Sequence, residues 1–116
     1  MKDTRQQFEH VISLCRDLFA KKLHDYGAAW RIMRPVSVTD QIFIKANRIR
    51  SIEIKGVTMV DEGIRPEFIG IVNYGIIDLI QLDLVYTEKD DFSEQDVLNL
   101  YDRYAKKAFD LMMAKN

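Results

Sequence analysis

Residues 66–85 read PEFIGIVNYGIIDLIQLDLV, a run that is apolar on almost every side. Pro66 suits the first turn of a helix, where it has no needed N–H to lose, so a helix is expected from there to about Val85. A helix that is apolar around its circumference is enclosed by protein or crosses a membrane. Here Asn73, Asp78, Gln81 and Asp83 interrupt the run, which falls short of the roughly 18 unbroken apolar residues of a membrane span. The segment is therefore expected to be the central helix of a bundle, and the rest of the chain must supply its cover.

Three further segments carry helical periodicity. Phe8, Val11, Ile12, Cys15, Leu18 and Phe19 recur at three- and four-residue steps, which predicts a first helix from Asp3 or Thr4 to about Leu23. Gly27 follows as a residue able to take the left-handed conformation that ends a helix. After Pro35, Ser37 and Asp40 resemble a capping box, and a second helix with Ile42, Ala46, Ile49 and Ile52 on one side is expected to end near Gly56. The stretch GVTMVDEGI, residues 56–64, reads as loop. Ser93 supplies the cap of a fourth helix, with Glu94 and Asp96 at its positive end and Arg103, Lys106 and Lys107 toward its negative end. The fold class expected is all-α, a helical bundle of four main helices forming a single helical domain over residues 1–116. The short linker TEKDD predicts that the last two helices run antiparallel.

Composition agrees with a folded domain. Of the 116 residues 47% are hydrophobic and 30% charged, outside the range of disordered chains. The net charge of −1 gives no general pull toward nucleic acid or membrane. Cys15 is the single cysteine, so one chain can form neither an internal disulfide nor a cysteine-based zinc site, and a reducing, cytoplasmic setting is expected. The first ten residues, MKDTRQQFEH, lack the apolar centre of a signal peptide. Because the central helix is too apolar for one small bundle to cover, a homo-oligomer or a second domain half is expected to bury the remainder.

Polar residues mark where chemistry could lie. At about 100° per residue, Glu67, Gly70, Tyr74, Asp78 and Gln81 share one broad face of the central helix, with Asn73 to one side. A carboxylate buried there needs a cation, a metal or solvent, and Lys45 and Arg48 of the second helix are the expected partners of Asp78. Between the first two helices stands HDYGAAWR, residues 24–31. It reads either as a helix end plugged by its own aromatics or as the corner of a site, with Tyr26 or Trp30 stacking on a base while Arg31, Lys45 or Arg48 holds phosphate. The candidate ligand-binding set is thus His24, Asp25, Tyr26, Trp30, Arg31, Lys45, Arg48, Asn73, Tyr74 and Asp78. Asp25 and Asp78 are the candidate metal ligands.

HDYGAAWR, then KANRIRSIE, DEGI and NYGIIDLIQL, together resemble nucleotide modification associated domain 1, a helical family formerly of unknown function found in phages and Bacteroidetes. On that resemblance Asp25, Tyr26 and Gly27 match a corner motif, Lys45 and Arg48 a basic helix, Asp61 and Glu62 an acidic turn, and Asn73 and Tyr74 an Asn-Tyr pair. Pro66 and Gly70 stand where members of the family often carry acids. The resemblance implies binding or processing of a nucleotide or modified nucleotide. Asp17-Leu18 near His24 and Asp110-Leu111 near Asn116 further suggest that the chain is the first half of a duplicated protein.

Three functional classes follow. A binding module would hold a nucleotide without turning it over. An enzyme would follow the all-α nucleoside triphosphate pyrophosphatases, a metal-dependent pyrophosphohydrolase chemistry with Mg²⁺ held by paired carboxylates on facing helices. Here the nearest counterparts, Arg50-x-x-Glu53 and Asp78-x-x-Gln81, each offer one carboxylate where two are needed. The alternative is an oligomerisation or interaction module without catalysis. Nucleic acid ranks last among partners, since no recognised motif accompanies the basic residues.

Overall fold

The computed structural model describes residues 3–55, 60–84 and 92–115. Four helices form an all-α bundle: α1 (Thr4–Tyr26), α2 (Pro35–Lys55), α3 (Val60–Leu84) and α4 (Glu94–Lys115), with a 3-10 turn at Ala29–Ile32 between the first two. The linker expected between the last two helices lies outside the described residues, as do residues 56–59.

Local chemistry explains the ends. The Asp3 carboxylate accepts from the Gln6 amide at 2.7 Å and caps α1, which runs one turn past Leu23 and stops at Gly27. Gly27 has φ 69° and donates its N–H to Leu23 O at 2.8 Å, the left-handed exit that a side chain would disfavour. The capping box expected at Ser37 is not the start of α2. That helix begins at Pro35, whose missing N–H costs nothing there, and the amides of Ser37 and Val38 bond the Arg34 carbonyl. A reciprocal box does form at α4, where Ser93 Oγ accepts from the Asp96 amide and Asp96 accepts from the Ser93 amide.

The largest departure is α3, which begins at Val60 rather than Pro66, so residues 60–65 are helix and not loop. Two residues that usually weaken helices, Gly63 and Pro66, lie inside it. Packing compensates: a Cβ on Gly63 would meet Ile52 Cδ1 at 3.1 Å, so the glycine lets α3 close on the end of α2. The contacts Thr39 to Asp78, Lys45 to Gly70 and Ile52 to Gly63 run in opposite order along the two helices, which makes α2 and α3 an antiparallel pair. Phe8 on Phe109, Arg16 on Asp102 and His24 on Glu94 show the same opposed order for α1 and α4.

The core lies where these pairs meet, around Phe19, Leu23, Val38, Ile76, Ile80, Val97 and Tyr101. Asn73 and Gln81, two of the polar residues of the apolar helix, are both buried inside it. Among the described residues no helix is long and apolar enough to cross a membrane. Cys15 is buried, and desolvation raises its thiol pKa, which suits packing better than reactivity.

Candidate functional site

Asn73 and Gln81 stand eight residues apart on α3, and each ties together other elements. The Asn73 amide donates to Cys15 O at 3.0 Å and accepts from the Tyr101 hydroxyl at 2.7 Å, joining α1, α3 and α4. Burial pushes the Tyr101 phenol well above its ordinary pKa, so it stays a donor. Gln81, 1% exposed, turns its Nε2 toward the carbonyls of Trp30, Arg31 and Met33 at 3.1, 2.9 and 2.6 Å. Its Oε1 accepts from the Arg31 guanidinium, which also lies over the Phe92 ring. One buried side chain thereby gathers three carbonyls of the 3-10 turn, of which Trp30 O also accepts from the Met33 amide, and pins the corner to α3.

That corner roofs a cavity of about 390 Å³ between the end of α1 and the middle of the α2/α3 pair. Lys22, Tyr26, Trp30, Lys45, Glu67 and Tyr74 give it its chemistry, with Asn73 and Ile77 in the lining beneath. Tyr26 is 76% exposed at the mouth, whereas Trp30 is half-buried and packs at a tilt 6.2 Å from Phe19. Lys45 reaches the cavity across Gly70, where a Cβ would come within 2.6 Å of its Cε. Its ammonium donates to Glu67 Oε2 at 3.4 Å and lies 5.8 Å from the centre of the Tyr74 ring. Both Lys45 and Glu67 side chains are 18% exposed, so the pair is partly shielded from water.

The cavity gathers five of the ten candidate ligand-binding residues: Tyr26, Trp30, Lys45, Asn73 and Tyr74. The other five lie elsewhere. His24 is exposed, with Nδ1 3.4 Å from Glu94, and Asp25 is exposed on the last turn of α1. Arg31 is buried against Gln81, and Arg48 reaches Glu67 from outside the cavity at 3.6 Å. The expected ion pair of Asp78 with Lys45 or Arg48 does not form. The α2/α3 register sets Lys45 against Gly70 and Glu67, and Asp78 instead accepts from the Thr39 hydroxyl. Asp25 thus stands on the exposed last turn of α1 and Asp78 on the Thr39 side of α3, and the described residues hold no group of three or more side chains of the His, Cys, Asp and Glu types that could take an ion. Gln81, the expected counterpart of a second carboxylate, is committed to backbone carbonyls.

Two charged residues of the cavity, Lys22 and Glu67, were absent from the sequence-derived set. Lys22 belongs to it because α1 continues past Leu23, which places Leu18, Lys22 and Tyr26 at four-residue steps on one face. Glu67 belongs because the α2/α3 register sets it beside Lys45.

Residues 22–82 match the model of the family described as nucleotide modification associated domain 1. The chain belongs to that family. No curated protein and no solved structure matches it. The match to nucleotide modification associated domain 1 begins at the cavity's own Lys22 and takes in every lining residue except Leu18 and Phe19. Helix α4 lies beyond the match and contributes to the core rather than to the cavity.

Proposed function

We propose that the cavity binds a nucleotide or modified nucleotide, its base against the aromatic rim and its phosphate toward the lysines. The observation that carries this reading is the pairing, at one mouth, of Tyr26 and Trp30 with the amines of Lys22 and Lys45. Aromatic faces take up any base, and ammonium groups take up phosphate oxygens as point charges. The volume falls within the range of small-molecule sites, and the family description associates the fold with nucleotide modification. Glu67 serves as a gate in this reading. It neutralises Lys45 in the free domain and must yield that ammonium to an arriving phosphate, or else itself accept from a base amine or sugar hydroxyl. Binding without turnover is the chemistry the lining supports, since the carboxylates sought for paired metal ligation are engaged elsewhere or exposed.

Trp30 is the chain's single tryptophan, so its fluorescence reports on the rim directly. Titration with nucleoside monophosphates and triphosphates should quench or shift that emission and raise the melting temperature, and Lys45→Ala should weaken both responses. No response to any common or base-modified nucleotide at millimolar concentration would overturn the reading.

A further inference from the structure

Among the described residues, one face of α3 is left without a covering helix. Phe68, Val72, Gly75, Leu79 and Leu82 follow one another at steps of four, three, four and three residues, the spacing of a coiled-coil seam. Phe68 and Leu82 are 54% and 61% exposed, Leu79 is exposed, Val72 is partly buried against the core at the edge of the seam, and a Cβ on Gly75 would meet nothing within 4 Å. A 3.5-residue seam asks for another helix, because only a helix meets it with side chains at matching intervals.

We infer that the partner is a second copy of this chain, with its α3 antiparallel across a two-fold axis at Gly75. The seam is self-complementary in that register. Leu82 of the copy stands opposite Phe68, and Leu79 opposite the Ile71–Val72 step, where they reach the mouth of an apolar groove of about 400 Å³ between α1 and α3. Val11 and Leu14 line its far wall and are themselves exposed. Gly75 faces its own counterpart, and the missing side chains let the two backbones approach where the seam is otherwise bulky. Charge agrees with the register: Arg65 and Asp83 are exposed on the same flank of the seam, and antiparallel pairing brings Arg65 of one copy beside Asp83 of the other. The surface is separate from the nucleotide cavity, which opens on the α2 side of α3, so dimerisation and ligand binding stand or fall separately.

Light scattering of the intact chain across micromolar to submillimolar concentrations should show a dimer, and Leu82→Glu should shift it to monomer with an unchanged circular dichroism spectrum. In a Cys15→Ser background, Gly75→Cys should form a disulfide-linked dimer on mild oxidation. Phe68→Cys mixed with Leu82→Cys should cross-link, while neither should cross-link alone. A monomer throughout the concentration range, a dimer indifferent to Leu82→Glu, or self-linkage of Phe68→Cys alone would each overturn the inference.

Discussion

Lys45 reaches its cavity only because residue 70 has no side chain: a Cβ there would lie 2.6 Å from the lysine Cε and 2.7 Å from Cδ. The atoms in the way belong to a flexible stem, so adding a methyl displaces the ammonium rather than the backbone. Gly70→Ala is therefore expected to leave stability unchanged or raise it by up to about 1 kcal/mol, through helix propensity. Nucleotide affinity should fall about tenfold as the lysine is pushed from the rim. Chemical denaturation and Trp30 titration on the same variant separate the two effects.

Replacing Gln81 has the opposite signature. Gln81→Leu keeps the volume but removes the amide that the Trp30, Arg31 and Met33 carbonyls share and the oxygen that accepts from the Arg31 guanidinium. Unsatisfied buried groups cost about 1–3 kcal/mol each, and partial solvation of the corner should bring the total to about 3 kcal/mol. Urea unfolding followed by circular dichroism would measure it, and a loss below about 1 kcal/mol would contradict the pinning role.

Tyr101 predicts an alkaline limit. Burial raises its phenol pKa in the fold above the ordinary value of about 10, so the unfolded chain loses that proton first as pH rises. Stability from this group is fully present below pH 10 and is lost progressively above it. Tyr101→Phe should remove that part of the alkaline decline while costing about 1–2 kcal/mol at neutral pH, since Asn73 Oδ1 loses its donor. Urea midpoints of both proteins between pH 7 and pH 11 would test the sign.

Asp25→Asn should do little. The carboxylate is exposed and outside the cavity lining, so stability should change by less than about 0.5 kcal/mol and nucleotide affinity by less than twofold. Tyr26→Ala, one residue on, should weaken binding without affecting the melting temperature.

The four helices were legible in the sequence because their apolar residues recur at helical steps and three of their ends carry Asp3, Gly27 and Ser93, whereas the start of α2 was sought at Ser37 and lies at Pro35. The early start of α3 was not, because Gly63 and Pro66 disfavour helix in isolation and only the contact with Ile52 compensates. The site was half legible for a related reason. Residue type identified Tyr26, Trp30, Lys45 and Tyr74, but pairing charges across helices needs the register. Lys45 and Asp78 are matched in charge and lie at different heights on the α2/α3 pair. Asn73 and Gln81 stood out correctly as polar residues within an apolar run, yet their partners are backbone and a tyrosine from distant segments, which no local pattern reveals.

The grip of Gln81 on the corner divides the two rim aromatics into unlike partners. Trp30 is anchored through its own carbonyl and rests near Phe19, so its ring is preorganised before any ligand arrives. Tyr26 lies on the other side of Gly27, exposed and beyond that grip, and must surrender rotational freedom when a base settles on it. If the cavity takes a nucleotide as proposed, selectivity for the shape of the base rests with Trp30, while the entropy of capture falls on Tyr26.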